Sequence, residues 1–307
     1  MIKLEDKGLL LTRKRTNLIA RPDYTSTRMY QVKLMRTEDF LFATELANTM
    51  NWNMAQEDFQ FMTQLEPEGC FILSDNIKHV GIATCISYGK VGWFGNLIVK
   101  DEYRGKGAGS LLVKHAIDYL QGKGVETIGL YAYPNLVHFY SSLGFTNDED
   151  FSVLHVKNLA SLTSESLLSV SKQHMRIIEA FDNRCFGGDR KKLLESIVLE
   201  EGNLNYYVFN GNEVAGYVAA TVYDLMAWVG PLMCQEGNVD AAVLLLKAVL
   251  AKLSGKSVYV ALPKKETALA ETLSNVGFKE DFSVVRMFLG PNVSSNCIYL
   301  AESLERG

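Results

Sequence analysis

Apolar and polar positions along this chain change their spacing in an order that occurs twice. Near-continuous apolar blocks at 70–73, 80–88 and 93–99, broken by turn residues such as Asp75-Asn76, predict strands. Leu112, Ala116, Tyr119 and Leu120 fall at helical spacing and predict a helix over 109–121. The same reading predicts helices at 37–50, 57–65 and 136–143 and strands at 127–131 and 151–156. In the second half it predicts helices at 190–199, 239–253 and 267–276, with strands at 206–209, 213–223, 227–233, 257–261 and 283–288.

Short blocks recur in register. Trp93-Phe94-Gly95-Asn96-Leu97 is echoed by Trp228-Val229-Gly230-Pro231-Leu232. Gly144-Phe145 followed by Phe151-Ser152-Val153 is echoed by Gly277-Phe278 followed by Phe282-Ser283-Val284. Two matched blocks in one order imply two copies of one supersecondary plan. The expected organisation is an N-terminal arm (1–29), a first domain (30–157), a linker (158–174) and a second domain (175–307).

Composition narrows the function classes. A formal net charge of -4 over 307 residues gives no global reason to bind nucleic acid or an anionic membrane. The five cysteines are scattered and odd in number, so unpaired thiols in a reducing cytoplasm are expected. No histidine or cysteine spacing predicts a metal. The arm is basic (Arg13-Lys14-Arg15); it reads either as a flap over an anionic ligand or as a surface arm.

The chemistry concentrates at Arg104-Gly105-Lys106-Gly107-Ala108-Gly109-Ser110, between a predicted strand and a predicted helix. Three glycines at alternate positions let backbone N–H groups approach a ligand, at the positive end of the following helix. Arg104 and Lys106 add charge, so the segment reads as a phosphate-binding loop. A Walker loop would need Gly-Lys-Ser/Thr at its end, which is missing. A dinucleotide loop would need a third glycine where Ser110 stands.

Arg104-x-x-Gly107-x-Gly109 after Leu97-Ile98-Val99, with Asn135, Tyr140 and Gly144-Phe145 downstream, resembles the GNAT N-acetyltransferase superfamily. The second half, through Phe181-Asp182, Cys185-Phe186-Gly187, Asp189-Arg190 and Ile298-Tyr299, resembles the degenerate GNAT-like domain that follows a true one in some two-domain proteins. The resemblance implies an α/β fold of the α+β type, with two tandem domains, each a twisted, mostly antiparallel sheet flanked by helices. It implies acetyl-CoA or another acyl-CoA as co-substrate and no metal. Transfer to an amine, on a small molecule or a protein, would be direct.

In that family the Leu97–Val99 strand offers a backbone N–H to the thioester oxygen and pairs with the pantetheine arm. The implied cofactor contacts are Leu97, Ile98, Val99, the loop from Arg104 to Ser110, Asn135 and Tyr140; the implied catalytic groups are Leu97 and Tyr140, the latter as general acid. Many relatives also place a glutamate on the strand before the loop, where this chain has Gly95, Asn96 and Leu97. Glu57, Asp58, His138, a group from the second half or a water chain to bulk are the candidate bases. Trp52-Asn53 is a candidate wall of the acceptor pocket, or Asn53 a plain helix cap, and Arg190 a candidate for an acceptor carboxylate or a plain turn. The corresponding loop of the second half, Cys234-Gln235-Glu236-Gly237-Asn238, has lost the glycine ladder and both cations. One cofactor site, in the first half, is therefore expected. The rival class is a non-catalytic acyl-CoA sensor.

Overall fold

A computed structural model describes residues 30–293 and 296–307. The segment read as an N-terminal arm lies outside the described residues. The first half runs β1 (Tyr30–Leu34), α1 (Phe40–Asn48), α2 (Gln56–Leu65), β2 (Cys70–Asp75), β3 (Lys78–Tyr88), β4 (Val91–Val99), α3 (Ala108–Gly122), β5 (Thr127–Ala132), α4 (Val137–Ser141) and β6 (Thr146–Val156). The second runs α5 (Met175–Phe186), α6 (Lys191–Val198), β7 (Leu204–Asn210), β8 (Glu213–Val222), β9 (Met226–Cys234), α7 (Val239–Leu250), β10 (Ser257–Pro263), α8 (Thr267–Asn275), β11 (Lys279–Leu289) and β12 (Ile298–Leu300). Every expected strand and helix is present, most with slightly shifted ends. The elements with no sequence counterpart are β1, α5 and β12.

The α/β class and the twofold plan hold, but the two sheets are one. The strand order is β1-β2-β3-β4-β5-β11-β6-β10-β9-β8-β7, with β12 on β9. The last long strand of each half crosses into the other: β11 lies between β5 and β6, and β6 lies between β11 and β10. Pairings match across the exchange. β4–β5 and β9–β10 are parallel, and the four strands at the junction are antiparallel.

Helices α1, α2, α5 and α6 share a core on one face of this sheet. Helices α3 and α4 cover the other face in the first half, and α7 and α8 in the second. The interface also holds a polar tie. Glu66, at the end of α2, pairs with Lys192 of α6 and accepts the Ser87 amide (3.1 Å).

The exchange has a direct consequence. Residues 30–157 alone would leave β5 and β6 with unpaired inner edges, because β11 is the strand that satisfies both. We expect that fragment to be insoluble or unfolded alone. Co-expression with 158–307 should restore a stable complex, measured by co-purification and circular dichroism.

The cysteine expectation needs correction. Cys185, at the end of α5, and Cys297, just before β12, form a disulfide across 112 residues of sequence, with Cα atoms 5.6 Å apart. Tertiary packing brings them together, and spacing along the chain could not signal it. Cys70, Cys85 and Cys234 are free and buried. No described helix is long and apolar enough to cross a membrane.

Candidate active site

Two parallel strand pairs open like a V. Pairing of β4 with β5 ends at Trp93–Gly129, and pairing of β9 with β10 ends at Tyr259–Trp228 and Val260–Val229. Beyond each point a β-bulge re-aims the outer strand. In β4, Trp93 and Ile98 face the α1/α2 core while Phe94 and Val99 face α3, so the alternation slips by one between them. Gly95 pairs with Thr84 and Ile98 with Ile82, which leaves Asn96 and Leu97 opposite Ala83 alone. Asn96 takes a φ of 49° there and its side-chain Nδ2 donates to Thr84 Oγ1 (3.2 Å).

The two openings differ in what fills them. In the second half β12 pairs with β9 across Leu232, Met233 and Cys234, and Ala301 N donates to Ala261 O of β10 (3.0 Å). The chain's own strand therefore occupies that V. In the first half no described strand pairs with β4 on its β5 side past Trp93. An extended ligand arm could add there as β12 does in the second half.

The loop after β4 fits a diphosphate. Gly105 (φ 69°) and Gly107 (φ 83°) use the left-handed backbone region, and a Cβ built on either meets no atom of the described residues within 4 Å. Arg104 to Gly107 are exposed, while Ala108 is buried under the start of α3. The first α3 amide with an internal acceptor is that of Leu111, donating to Gly107 O (3.0 Å). The amides of Ala108, Gly109 and Ser110 have no backbone acceptor among the described residues. Each helix-terminus contact with an anion contributes about 0.3–1 kcal/mol, so several must act together.

The cations serve the loop differently than expected. Arg104 Nε donates to Val99 O (2.8 Å) and its guanidinium pairs with Asp101 (2.7 Å), so it braces the turn. Lys106 Nζ donates to Glu102 O (2.6 Å). Beside them lies an open cavity of ≈ 450 Å³ between the end of α1 (Leu46, Thr49, Met50) and residues 100–104.

In the second half the loop is closed to anions by its own groups. Asn238 caps α7 by accepting the Ala241 amide (3.3 Å), and Gln235 N donates to Ala215 O (2.8 Å). Glu236 and Asp240 would add repulsion.

Tyr140 lies on α4 with its ring against Phe94, Phe139 and Phe145, at centroid distances of 6.4, 5.0 and 5.9 Å. It is buried, and burial alone pushes its phenol well above the ordinary value. Its hydroxyl has no hydrogen-bonding partner among the described residues. Phe139, one residue before, comes within 3.5 Å of a Cβ built on Gly109, so α4 and the loop adjoin. Asn135 sits exposed in the 3₁₀ turn Pro134–Leu136 that leads into α4.

Other candidates resolve individually. His138 is exposed on α4. Asp58 accepts the Ala55 amide (2.8 Å) and so caps α2. Trp52 Nε1 donates to Tyr133 Oη (3.1 Å), and Tyr133 packs on Phe282 of β11 (5.6 Å). A side chain of the second half thus joins an aromatic group at the end of β5.

Arg190 is not available to an acceptor. It is fully buried, paired with Asp182 through two bonds (3.1 and 2.6 Å), donates to Gly307 O (2.8 Å) and lies over the Phe186 ring (4.0 Å). Asp182 also accepts from Tyr217 Oη. Removing one partner of such a pair costs about 3–5 kcal/mol. Asp182→Ala should therefore lower the unfolding free energy by about that amount, measured by urea titration.

Sequence reading missed the role of residues 301–307. This segment crosses the α1/α2/α5/α6 face and meets both copies of the Trp-x-Gly motif. Trp228 Nε1 donates to Ala301 O and Trp93 Nε1 to Leu304 O, each at 3.2 Å. A Cβ on Gly230 would stand 1.9 Å from Ala301 O, and one on Gly95 2.6 Å from Glu305 Cα. The repeated motif is a cradle for one strap. Among the described residues no group of three or more His, Cys, Asp or Glu is placed to hold a metal.

Comparison with known proteins agrees with this fold. Residues 35–145 match the model of the "Acetyltransferase (GNAT) family", and residues 178–299 that of an "Acetyltransferase (GNAT) domain". The holothin acyltransferase of Pseudoalteromonas sp. is 23% identical over 274 residues, covering 88% of this chain and 92% of that protein. A crystal structure of a putative acetyltransferase from Pyrococcus horikoshii superposes with a TM-score of 0.76 at 20% identity, covering 91% of this chain and 96% of that one. A tandem GNAT protein from the clavulanic acid biosynthesis pathway gives a TM-score of 0.60 at 14% identity, covering 86% and 100%. At these identities the solved structures speak for the fold.

Proposed function

The chain carries two GNAT acetyltransferase domains in tandem, and from that premise we propose that it transfers an acyl group from acyl-CoA to an amine at a single site in its first half. The observation that carries this reading is the contrast between the two V-shaped openings. One is filled by β12 and faces a self-capped loop; the other, among the described residues, is open and faces amides without backbone acceptors.

The amides of the loop and the first turn of α3 would hold the diphosphate, and the open edge of β4 the pantetheine arm. When bound, acyl-CoA supplies an activated thioester carbonyl. The bulge leaves Asn96 and Leu97 opposite Ala83 alone, and the Leu97 N–H would serve there as a fixed donor that stabilises negative charge developing on that carbonyl. Tyr140 gives its proton to the departing sulfur. A phenol held above its usual pKa by burial stays protonated at neutral pH and gains from a partner that becomes anionic. The acceptor would enter on the α1/α2 face, with Trp52, Tyr133 and Phe282 at its wall.

Release of free CoA thiol on incubation with acetyl-CoA and a panel of amines tests the reading. Acceptor-dependent release is expected. Tight CoA binding with no release for any amine would instead support a sensor.

A further inference from the structure

We propose that Glu305 is the general base that deprotonates the acceptor amine, delivered to β4 by the strap. This rests on the transferase reading above. An alkylamine with a pKa of about 10.4 is almost wholly protonated at pH 7, and its nitrogen must lose a proton before it can attack. β4 itself carries no carboxylate. Gly95 stands two residues past Trp93, inside the open V and on the acceptor face. A Cβ built on Gly95 would lie 2.6 Å from both Cα and Cβ of Glu305. Glu305 therefore starts where a side chain of β4 would start, and the glycine is what leaves it room.

The strap is fixed on both sides of this residue. Trp93 Nε1 holds Leu304 O (3.2 Å), and Tyr88 Oη donates to Arg306 O (3.0 Å). Arg306 is locked by Glu302 (2.9 and 3.0 Å) and lies over the Phe61 ring (5.3 Å), and its remaining nitrogen meets Glu305 Oε1 (2.7 Å). Glu302 is buried and fully engaged, and Asp58 caps α2. The Glu305 side chain is mostly enclosed but keeps 22% of its surface accessible.

The charged and titratable neighbours are Arg306 and Glu302 on the strap, Asp58 on α2 and Tyr223 before β9. Burial, opposed by Arg306 and helped by Glu302 and Asp58, holds this carboxyl above the ordinary range, toward the values useful to a base. In the step, Glu305 takes one proton from the ammonium nitrogen. The freed lone pair forms the C–N bond, the C–S bond breaks, and the sulfur takes the Tyr140 proton; the second proton, which the nitrogen sheds as it becomes an amide, returns through solvent to Tyr140 and restores the phenol.

Glu305→Gln keeps the shape and removes the base. With an alkylamine at pH 7, kcat/KM should fall about 10²- to 10⁴-fold while CoA affinity is unchanged. The acid limb of the wild-type profile, where activity is lost as pH falls through the Glu305 pKa, should disappear. In its place the variant's rate should climb about tenfold per pH unit toward the amine's pKa, following the neutral amine. An arylamine, already neutral at pH 7, should show little difference between variant and wild type, and Glu305→Asp should recover part of the alkylamine rate. An unchanged rate with the acid limb intact, or an equal loss with both amines, would overturn the proposal. If the wild-type chain binds CoA yet acylates no amine, the transferase reading itself fails, and this proposal with it.

Discussion

Gly107→Val is expected to abolish measurable acyl-CoA binding while leaving the fold intact. Gly107 caps α3 with a φ of 83°, and a β-branched residue strongly disfavours that region. Among the described residues nothing lies within 4 Å of the new Cβ, so no clash with them arises. The isopropyl group instead fills the space over the unpartnered amides, and relaxation of the strained backbone turns those amides away. Two lost charge-assisted hydrogen bonds at about 1.5 kcal/mol each weaken binding more than 100-fold. Gly237→Val is a matched control. It also has positive φ (74°) and free space, in the corresponding turn of the second half. Its backbone strain is comparable, and its CoA affinity should equal that of the wild type.

Tyr140→Phe should lower kcat about 10²- to 10⁴-fold with little change in CoA affinity or stability. Its hydroxyl has no protein partner among the described residues, so removing it orphans no donor or acceptor. Packing against Phe94, Phe139 and Phe145 is retained by phenylalanine. Because the phenol is pushed above its usual pKa, it stays a proton donor throughout the neutral range, and its contribution is lost only as pH rises through that raised value. Single-turnover measurement separates this from slow product release. An unchanged chemical rate would make Tyr140 a packing residue.

Much of this site is local in sequence and therefore legible there. The loop 104–110 depends on glycines whose positive φ is a property of the residue type, and Tyr140 follows at a fixed distance along one helix. What stayed hidden is non-local. β6 and β11 read correctly as strands, but no spacing tells a strand that its neighbours belong to the other half. β1 alternates over only five residues, Tyr30 to Leu34, and β12 has three, so neither run is long enough to stand out.

The Trp-x-Gly repeat was visible, but its purpose depends on a segment some 200 residues away from the first copy. Glu305 escaped for the same reason. Its place beside Gly95 is set by two tryptophan–carbonyl bonds and not by its neighbours in the chain. Arg190 misled because Gly-Gly-Asp-Arg looks like an exposed turn, whereas Asp182, one helix earlier, draws the guanidinium into the core.

The most direct test is to count acetyl-CoA sites on the intact chain by calorimetry. One site per chain is expected, lost in Gly107→Val and kept in Gly237→Val. Two sites per chain, or one that survives Gly107→Val and is lost in Gly237→Val, would contradict a single cofactor site in the first half.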